Sequence, residues 1–210
     1  MYLSDHDIRD MPKQYRTNFV NSLSGFKSAN LIGTQSQSGC NNLALFSSAV
    51  HLGANPALMG IISRPDSVTR DTLTNIRETG YFSLNHVHKG MIEAAHQCAA
   101  RYPNDVSEFD AVGLTPQTSQ HHPAPYVKES HLSMGLKSRE IMTIAINNCY
   151  LIIGEIIEVK IENEAIQKDG TIALDVIQTV AISGLDHYHT TQLIHQYSYA
   201  KPDRPLSIKK

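Results

Sequence analysis

The spacing of apolar and polar positions changes several times along the chain, and each change predicts an element. Residues 4–10 read as a short helix with Ser4 as its N-cap. Pro12 suits the first turn of a second helix, where a missing N–H goes unused anyway. Tyr15, Phe19 and Leu23 recur at four-residue spacing and give that helix one apolar face, and Gly25 ends it. From Phe26 the period falls to two. Ala29, Leu31 and Gly33 alternate with Ser28, Asn30 and Thr34, the pattern of a half-buried strand. After a turn at Ser38-Gly39, residues 42–50 and 57–63 predict two more strands, linked through Gly53-Ala54-Asn55-Pro56. Thr69 or Asp71 then opens a short helix that ends at Thr79-Gly80 and buries Leu73 and Ile76. Residues 81–87 predict a strand, with Phe82, Leu84 and His86 on one side. Residues 91–100 are Ala-rich and helical in character.

The second half is less regular. Residues 103–126 hold four of the nine prolines and predict an irregular excursion with one short helix near Glu108. The sheet returns over residues 131–136, and residues 141–159 form a long hairpin. Lys168-Asp169-Gly170 is a hairpin turn, because Asp-Gly accepts positive φ. A strand is expected over 171–182, a short helix around 190–195, and a loop over 201–205. Six or seven closely spaced strands with few helices between them predict a mainly β fold: a closed or partly closed antiparallel barrel with peripheral helices. A parallel sheet would need a helix after nearly every strand. No repeat or linker composition divides the 210 residues, so one domain is expected over 1–210.

Composition narrows the function classes. A net charge of −2 argues against a general nucleic-acid binder, which needs a basic surface, but it leaves room for a local basic pocket. Cys40, Cys98 and Cys149 are far apart, which speaks against a disulfide framework or a structural zinc site. The charged N-terminus lacks the apolar core of a signal peptide. The apolar run over 141–161 is interrupted by Asn147, Asn148, Glu155 and Glu158, so it does not read as a membrane span of about 20 apolar residues. A cytoplasmic protein is expected, with neither membrane nor nucleic acid as partner.

The densest chemistry lies between Gly39 and Asn85. Ser47, Ser48, Ser63, Arg64, Ser67, Thr69, Arg70 and Thr72 can together hold an anion. The segment 63–72 joins a strand to a helix, whose N-terminus offers unpaired N–H groups and partial positive charge. Its two arginines match phosphate geometry with paired bonds. A simpler reading is that Thr69 or Asp71 only caps the helix and the arginines are solvated. Upstream, Asn41 and Asn42 followed by Leu43 and Ala44 would leave strand backbone accessible to a flat ring, with Ser47 and Ser48 a few residues further on. They read equally as an ordinary strand after a turn.

Four blocks carry a family resemblance: FKSANLIGT (26–34), NNLALFSSAVHLGANPALMGIISRP (41–65), TRDTLTNIRETGYFSLNHV (69–87) and YSYAKPDRP (197–205). By their order and spacing the chain resembles the flavin reductase-like family of FMN-binding split barrels. The resemblance implies a Greek-key antiparallel split barrel, a homodimer and FMN near the subunit interface. It places Asn41, Asn42, Leu43 and Ala44 along the isoalloxazine ring, with backbone amides reaching N5 and the pyrimidine edge. It places Ser47, Ser48, Arg64, Arg70 and Thr72 around the phosphate. Many relatives carry Pro where this chain has Leu45, so either Ser47 or Ser48 meets the phosphate. They carry Lys where it has Arg70, which keeps the charge.

The implied activity is NAD(P)H-dependent hydride transfer through FMN N5, with NAD(P)H as a transient co-substrate and no general base singled out. The alternatives are a flavoredoxin-like electron carrier fed by a redox partner protein, or a flavin- or haem-binding module without turnover. No metal is expected. His187 and His189 share a strand face but lack a third ligand, and contact with the flavin across a dimer suits them better. His121-His122 is expected to be solvated. His51 and His86 lie inside the matching blocks and either line the pocket or serve as barrel histidines.

Overall fold

A computed structural model describes residues 1–103 and 105–209. Two helices open the chain, α1 (Asp5–Asp10) and α2 (Lys13–Leu23). Ser4 caps α1 through a reciprocal box with Asp7. Strands β1 (Lys27–Ser28), β2 (Asn30–Gln35), β3 (Asn41–Phe46), β4 (Val50–Ala54) and β5 (Ala57–Ser63) follow. Helix α3 (Asp71–Thr79) leads into β6 (Tyr81–His86), and α4 (Ile92–Gln97) and α5 (Glu108–Val112) come next. The chain then forms β7 (Pro116–Gln117), β8 (Tyr126–Val127), β9 (Leu132–Ile144), β10 (Cys149–Ile161), β11 (Val180–Ser183) and β12 (His187–Thr190).

Seven strands form one antiparallel sheet in the order β3-β2-β6-β9-β10-β5-β4. The two edge strands, β3 and β4, are joined by only three residues, 47 to 49. A link of that length spans at most about 14 Å, so the sheet must roll until its edges nearly meet. That is a barrel with a slit between β3 and β4. Strand β10 pairs with β9 on one side and β5 on the other, and bulges at Ile153/Gly154 and Ile156/Glu158 help it coil.

The barrel interior is filled by Ile32, Ile61, Phe82, Leu84, Met134, Leu136 and Ile152, with Leu73 and Ile76 of α3 closing one mouth. A second core lies outside β2 and β3. There Leu31 and Leu43 pack under Met91, Ala95, Cys98 and Phe109 from the α4–α5 region and under Val180 and Ile182 of β11. Strand β2 therefore has cover on both faces, and Asn30 to Thr34 are all buried. The half-buried pattern expected for it misses the outer layer, which comes from residues far along the chain.

Other expectations change too. The strand expected over 42–50 is two strands broken at Ser47, and Gly53-Ala54 belongs to β4 rather than to the turn. The sheet segments expected at 131–136 and 141–159 are one continuous hairpin. The strand expected over 171–182 exists only at Val180–Ser183. Ile172, Leu174 and Val176 alternate as a strand would, but their side chains stay exposed, and turns at Gln178 and Thr179 interrupt the run. No helix forms at 190–195, because Thr190 ends a strand paired with β11. The apolar face expected for α2 is formed, with Tyr15 stacked on Phe19, yet Tyr15 and Leu23 remain 60% and 64% exposed.

His122, expected to be solvated, is 2% exposed. Its ring nitrogens lie 3.2 Å from the carbonyls of Ala124 and Leu136. Nearby, Tyr126 and Ser119 donate to the Glu158 carboxylate at 2.6 and 2.8 Å. The proline-rich excursion is thus tied onto the barrel by polar contacts. Among the described residues no helix is long and apolar enough to cross a membrane.

Gly154 sits at the bulge of β10, where a Cβ would lie 2.6 Å from Cζ of Phe82 and 3.0 Å from Cβ of Leu136. Phe82 fills the barrel and has nowhere to move. Gly154→Ala should destabilise the fold by about 1–3 kcal/mol through overpacking, read as a lower urea midpoint at unchanged slope.

Candidate functional site

A cavity of about 920 Å³ opens beside the slit, between β3 and the end of β5. Its lining comes from three directions. Strand β3 and the link after it bring Asn42, Ala44, Leu45, Phe46, Ser47 and Ser48. The end of β5 and the loop into α3 bring Ser63, Arg64, Val68, Thr69, Arg70, Asp71 and Thr72. The α4–α5 region brings His96, Cys98, Arg101, Tyr102 and Glu108. Of the nine residues expected at a ring or phosphate, seven line this space: Asn42, Ala44, Ser47, Ser48, Arg64, Arg70 and Thr72. Asn41 does not, and it accepts a hydrogen bond from Gln35 Nε2 instead. The side chain of Leu43 turns away into the outer core.

The polar residues divide into those that build the site and those left available to a ligand. Asn42 Nδ2 donates to Thr34 Oγ1 at 3.2 Å and to Thr72 Oγ1 at 3.1 Å. Asn75 Nδ2 donates to the same Thr34 hydroxyl at 3.1 Å. This buried net pins the first turns of α3 to β2 and β3. Ser48 is a clasp: its hydroxyl donates to Ile62 O at 3.2 Å and accepts from Ile62 N–H at 3.0 Å. It thereby ties the link between the edge strands to β5. Ser47 has no such partner among the described residues, so the serine left for a ligand is Ser47.

Three guanidiniums gather at one end. Burial, reinforced by the charges of Arg101 and Arg64, pulls Arg70 below its ordinary pKa. Arginine nonetheless stays charged, so the site holds a half-buried guanidinium with two like charges beside it, an arrangement that an anion would relieve. The arginine ion pairs among the described residues belong to Arg9, Arg77, Arg139 and Arg204, not to these three. Asp66, which sits in the same loop, is turned outward to Arg77 at 3.0 Å and Tyr150 at 3.1 Å. That removes one carboxylate from the basic end and folds the loop over α3.

Sequence reading had missed Arg101. It lies beyond α4, 31 positions after Arg70, and no local motif marks it.

The other end of the cavity is backbone and small side chains. β3 is an edge strand, so every second residue turns its N–H away from β2. Leu43 does so, donating at 2.8 Å to Glu108 Oε2. By the same alternation Leu45 N–H faces outward. Cys98 also lies here, and burial, with Glu108 nearby, pushes its thiol up to about 12.

The family model for the flavin reductase-like domain matches residues 23–180, which include every cavity residue named above; Asn21, Ile182, Leu185 and Asp186, which also line the cavity, lie outside that span. The chain belongs to the flavin reductase-like family. A candidate flavin reductase with a split barrel domain from Shewanella frigidimarina NCIMB 400 is 49% identical, with 95% of this chain and 100% of that one covered at a TM-score of 0.92. The fold is accordingly a split barrel. Component B of a nitrilotriacetate monooxygenase from Bacillus cereus shares the fold at 19% identity, 93% and 98% coverage and a TM-score of 0.82. A protein of Aquifex aeolicus (strain VF5) is 26% identical over 159 residues, 75% of this chain and 80% of its own.

A family of this kind implies a flavin, and the donor set fits one. The guanidiniums and the Ser47 hydroxyl suit a phosphate. The outward backbone of β3 beside Ala44 suits the polar edge of a flat ring. The histidines named from sequence lie elsewhere. His51 is exposed on β4, and burial lowers His86 to about 4, making it a neutral barrel residue. His189 contacts Ser183 at 2.8 Å and Phe26 edge-on, and His187 pairs with Asp186 at 2.6 Å. His96, which sequence reading did not single out, lines the cavity and meets the Tyr188 hydroxyl at 3.0 Å. Among the described residues no cluster of His, Cys, Asp or Glu is arranged for a metal.

The two serines should separate cleanly. Ser48→Ala leaves Ile62 N–H without its acceptor and should cost about 1–3 kcal/mol of stability, whereas Ser47→Ala should leave the urea midpoint within about 0.5 kcal/mol of the parent. Equal midpoints for the two variants would show that Ser48 does not close the slit.

Proposed function

We propose that the chain is an FMN-dependent oxidoreductase of flavin reductase type, accepting reducing equivalents from NAD(P)H. The observation that carries this reading is one cavity with three arginines outside any ion pair among the described residues at one end and the outward backbone of the edge strand β3 at the other. A ligand with a dianionic phosphate on a flexible arm and a flat, neutral, hydrogen-bonding ring matches both ends. Bound FMN would supply the hydride chemistry itself. Arg64, Arg70 and Arg101 would hold its phosphate with Ser47. The β3 backbone and Ala44 would seat the ring and leave its other face to the nicotinamide.

The same reading includes a homodimer. Tyr15, Val20 and Leu23 on α2 and the adjacent Phe26 form an exposed apolar group larger than single scattered residues account for. A second copy that covers it would also bring its surface near Asn21 and Asp186 at the cavity rim. Work in the cytoplasm accords with three cysteines of which, among the described residues, none is joined in a disulfide.

Purified protein should take up FMN at micromolar concentration and show a flavin absorption spectrum, and NADH or NADPH should bleach it within the mixing experiment. Colourless protein that binds no flavin defeats the reading. Flavin that binds but is bleached only by a reduced partner protein supports the flavoredoxin-like carrier instead.

Arg70→Ala should weaken FMN by roughly 1.5–3 kcal/mol, the scale of a charge-assisted bond. The exposed Arg101→Ala should act in the same direction and less strongly. Riboflavin, which lacks the phosphate, should bind both variants as it binds the parent. Titrations of the two flavins by fluorescence quenching decide the point, and equal losses for both would remove the arginines from the phosphate site.

A further inference from the structure

Glu108 is a buried acid with no part in the scheme above. It is 8% exposed and opens the short helix α5. The next residue, Phe109, is 1% exposed in the outer core, so the carboxyl is held in place by packing rather than by a mobile loop. Oε2 accepts the Leu43 N–H at 2.8 Å, and the residue lines the cavity at the β3 end.

We propose that Glu108 is the proton-holding acid of this cavity: it fixes the open edge of β3 at Leu43 and takes up a proton when a flavin ring closes over it. The inference rests on the flavin reading for its ligand, though not for the state of the acid itself.

The surroundings explain why. Burial raises the Glu108 pKa, opposed by the N–H groups of Leu43 and of Glu108 itself, and the Asp71 carboxylate raises it further. The groups facing it from the packed elements are Leu43 on β3, Asp71 at the start of α3 and the Cys98 thiol after α4. None of these is a cation. With the cavity open, water reaches the remaining lone pairs. A flat neutral ring seated on β3 displaces that water, and the charged form loses solvation that nothing cationic replaces.

Protonation removes the penalty. The neutral acid still offers an oxygen to Leu43 N–H and gains an O–H donor directed to the ligand. The sign of the linkage follows. The acid's pKa is higher in the complex than in the open protein, so binding takes up protons and weakens as pH rises between the two values. The slope approaches tenfold per pH unit inside that window.

Riboflavin is the probe, because the FMN phosphate titrates near pH 6 by itself. Its affinity should fall several-fold between pH 5 and 8 in the parent and stay level in Glu108→Gln, which keeps an acceptor for Leu43 N–H. Calorimetry in two buffers of different ionisation heat should show proton uptake by the parent and none by the variant. His96 also lines the cavity and is intact in the variant. An unchanged slope or unchanged proton uptake in Glu108→Gln therefore overturns the proposal, as does a parent with no slope.

If the parent takes up neither FMN nor riboflavin, the proposed function fails, and the acid is judged in the open protein. A carboxyl ¹³C resonance that titrates above the ordinary glutamate range and is missing from Glu108→Gln supports it. Carboxyls that all titrate within that range overturn it.

Discussion

The link between the two edge strands of the barrel governs its shape. β3 and β4 are opposite edges of a seven-stranded sheet, yet only residues 47–49 lie between them. An open sheet of that width could not be joined so, since the chain would have to cross every intervening strand. The sheet must curl, and the place where it fails to close is the slit under Ser47 and Ser48. Ser48 fastens the link to Ile62 on β5, and α3 plugs the barrel mouth with Leu73 and Ile76. The site is therefore a consequence of closure rather than a feature added to a finished barrel.

Closure also decides which polar groups are available. Asn42, Thr34, Thr72 and Asn75 are buried and use their side chains on one another. Each would be costly if left unpaired in that position. Their net fixes the start of α3, and with it the loop that carries Arg64 and Arg70. The outward turn of Asp66 to Arg77 and Tyr150 completes the same loop. What projects into the cavity afterwards is the residue of this arrangement: one uncommitted serine hydroxyl and a set of guanidiniums.

Much of this was legible in the sequence because local chemistry wrote it. The cap at Ser4, the left-handed Gly80 after α3 and the apolar side of that helix all follow from short-range rules. Seven of the nine residues named between Asn41 and Thr72 line one cavity, since strand, link and helix start lie close together along the chain. The break at Ser47 was not legible, because residues 42–50 contain no Gly or Pro to mark it, and only the closure of the sheet interrupts them. Arg101 and Glu108 were beyond reach for a related reason. They arrive through the layer of α4 and α5 folded over β3, and nothing near them in sequence records what they meet. His122 misled in the opposite sense. A His-His pair among prolines reads as surface, but the excursion is itself packed on the barrel, and the ring lies within 3.2 Å of the Leu136 carbonyl.

The two ends of the cavity differ in a way that one sheet edge imposes. At the arginine end the chain leaves β5 for α3, and side chains are free to project. At the β3 end the backbone is the surface, and its outward N–H groups need acceptors when no ligand is there. Glu108 meets that need at Leu43, where a neutral acceptor would leave the desolvation cost lower but give the cavity no titrating group. A carboxyl at this position accepts the amide in either protonation state, so the strand edge keeps its geometry while the local charge changes. The same two oxygens thus couple the stability of the β3 edge to the charge of the ring end, while the guanidinium end keeps its charge throughout the physiological range.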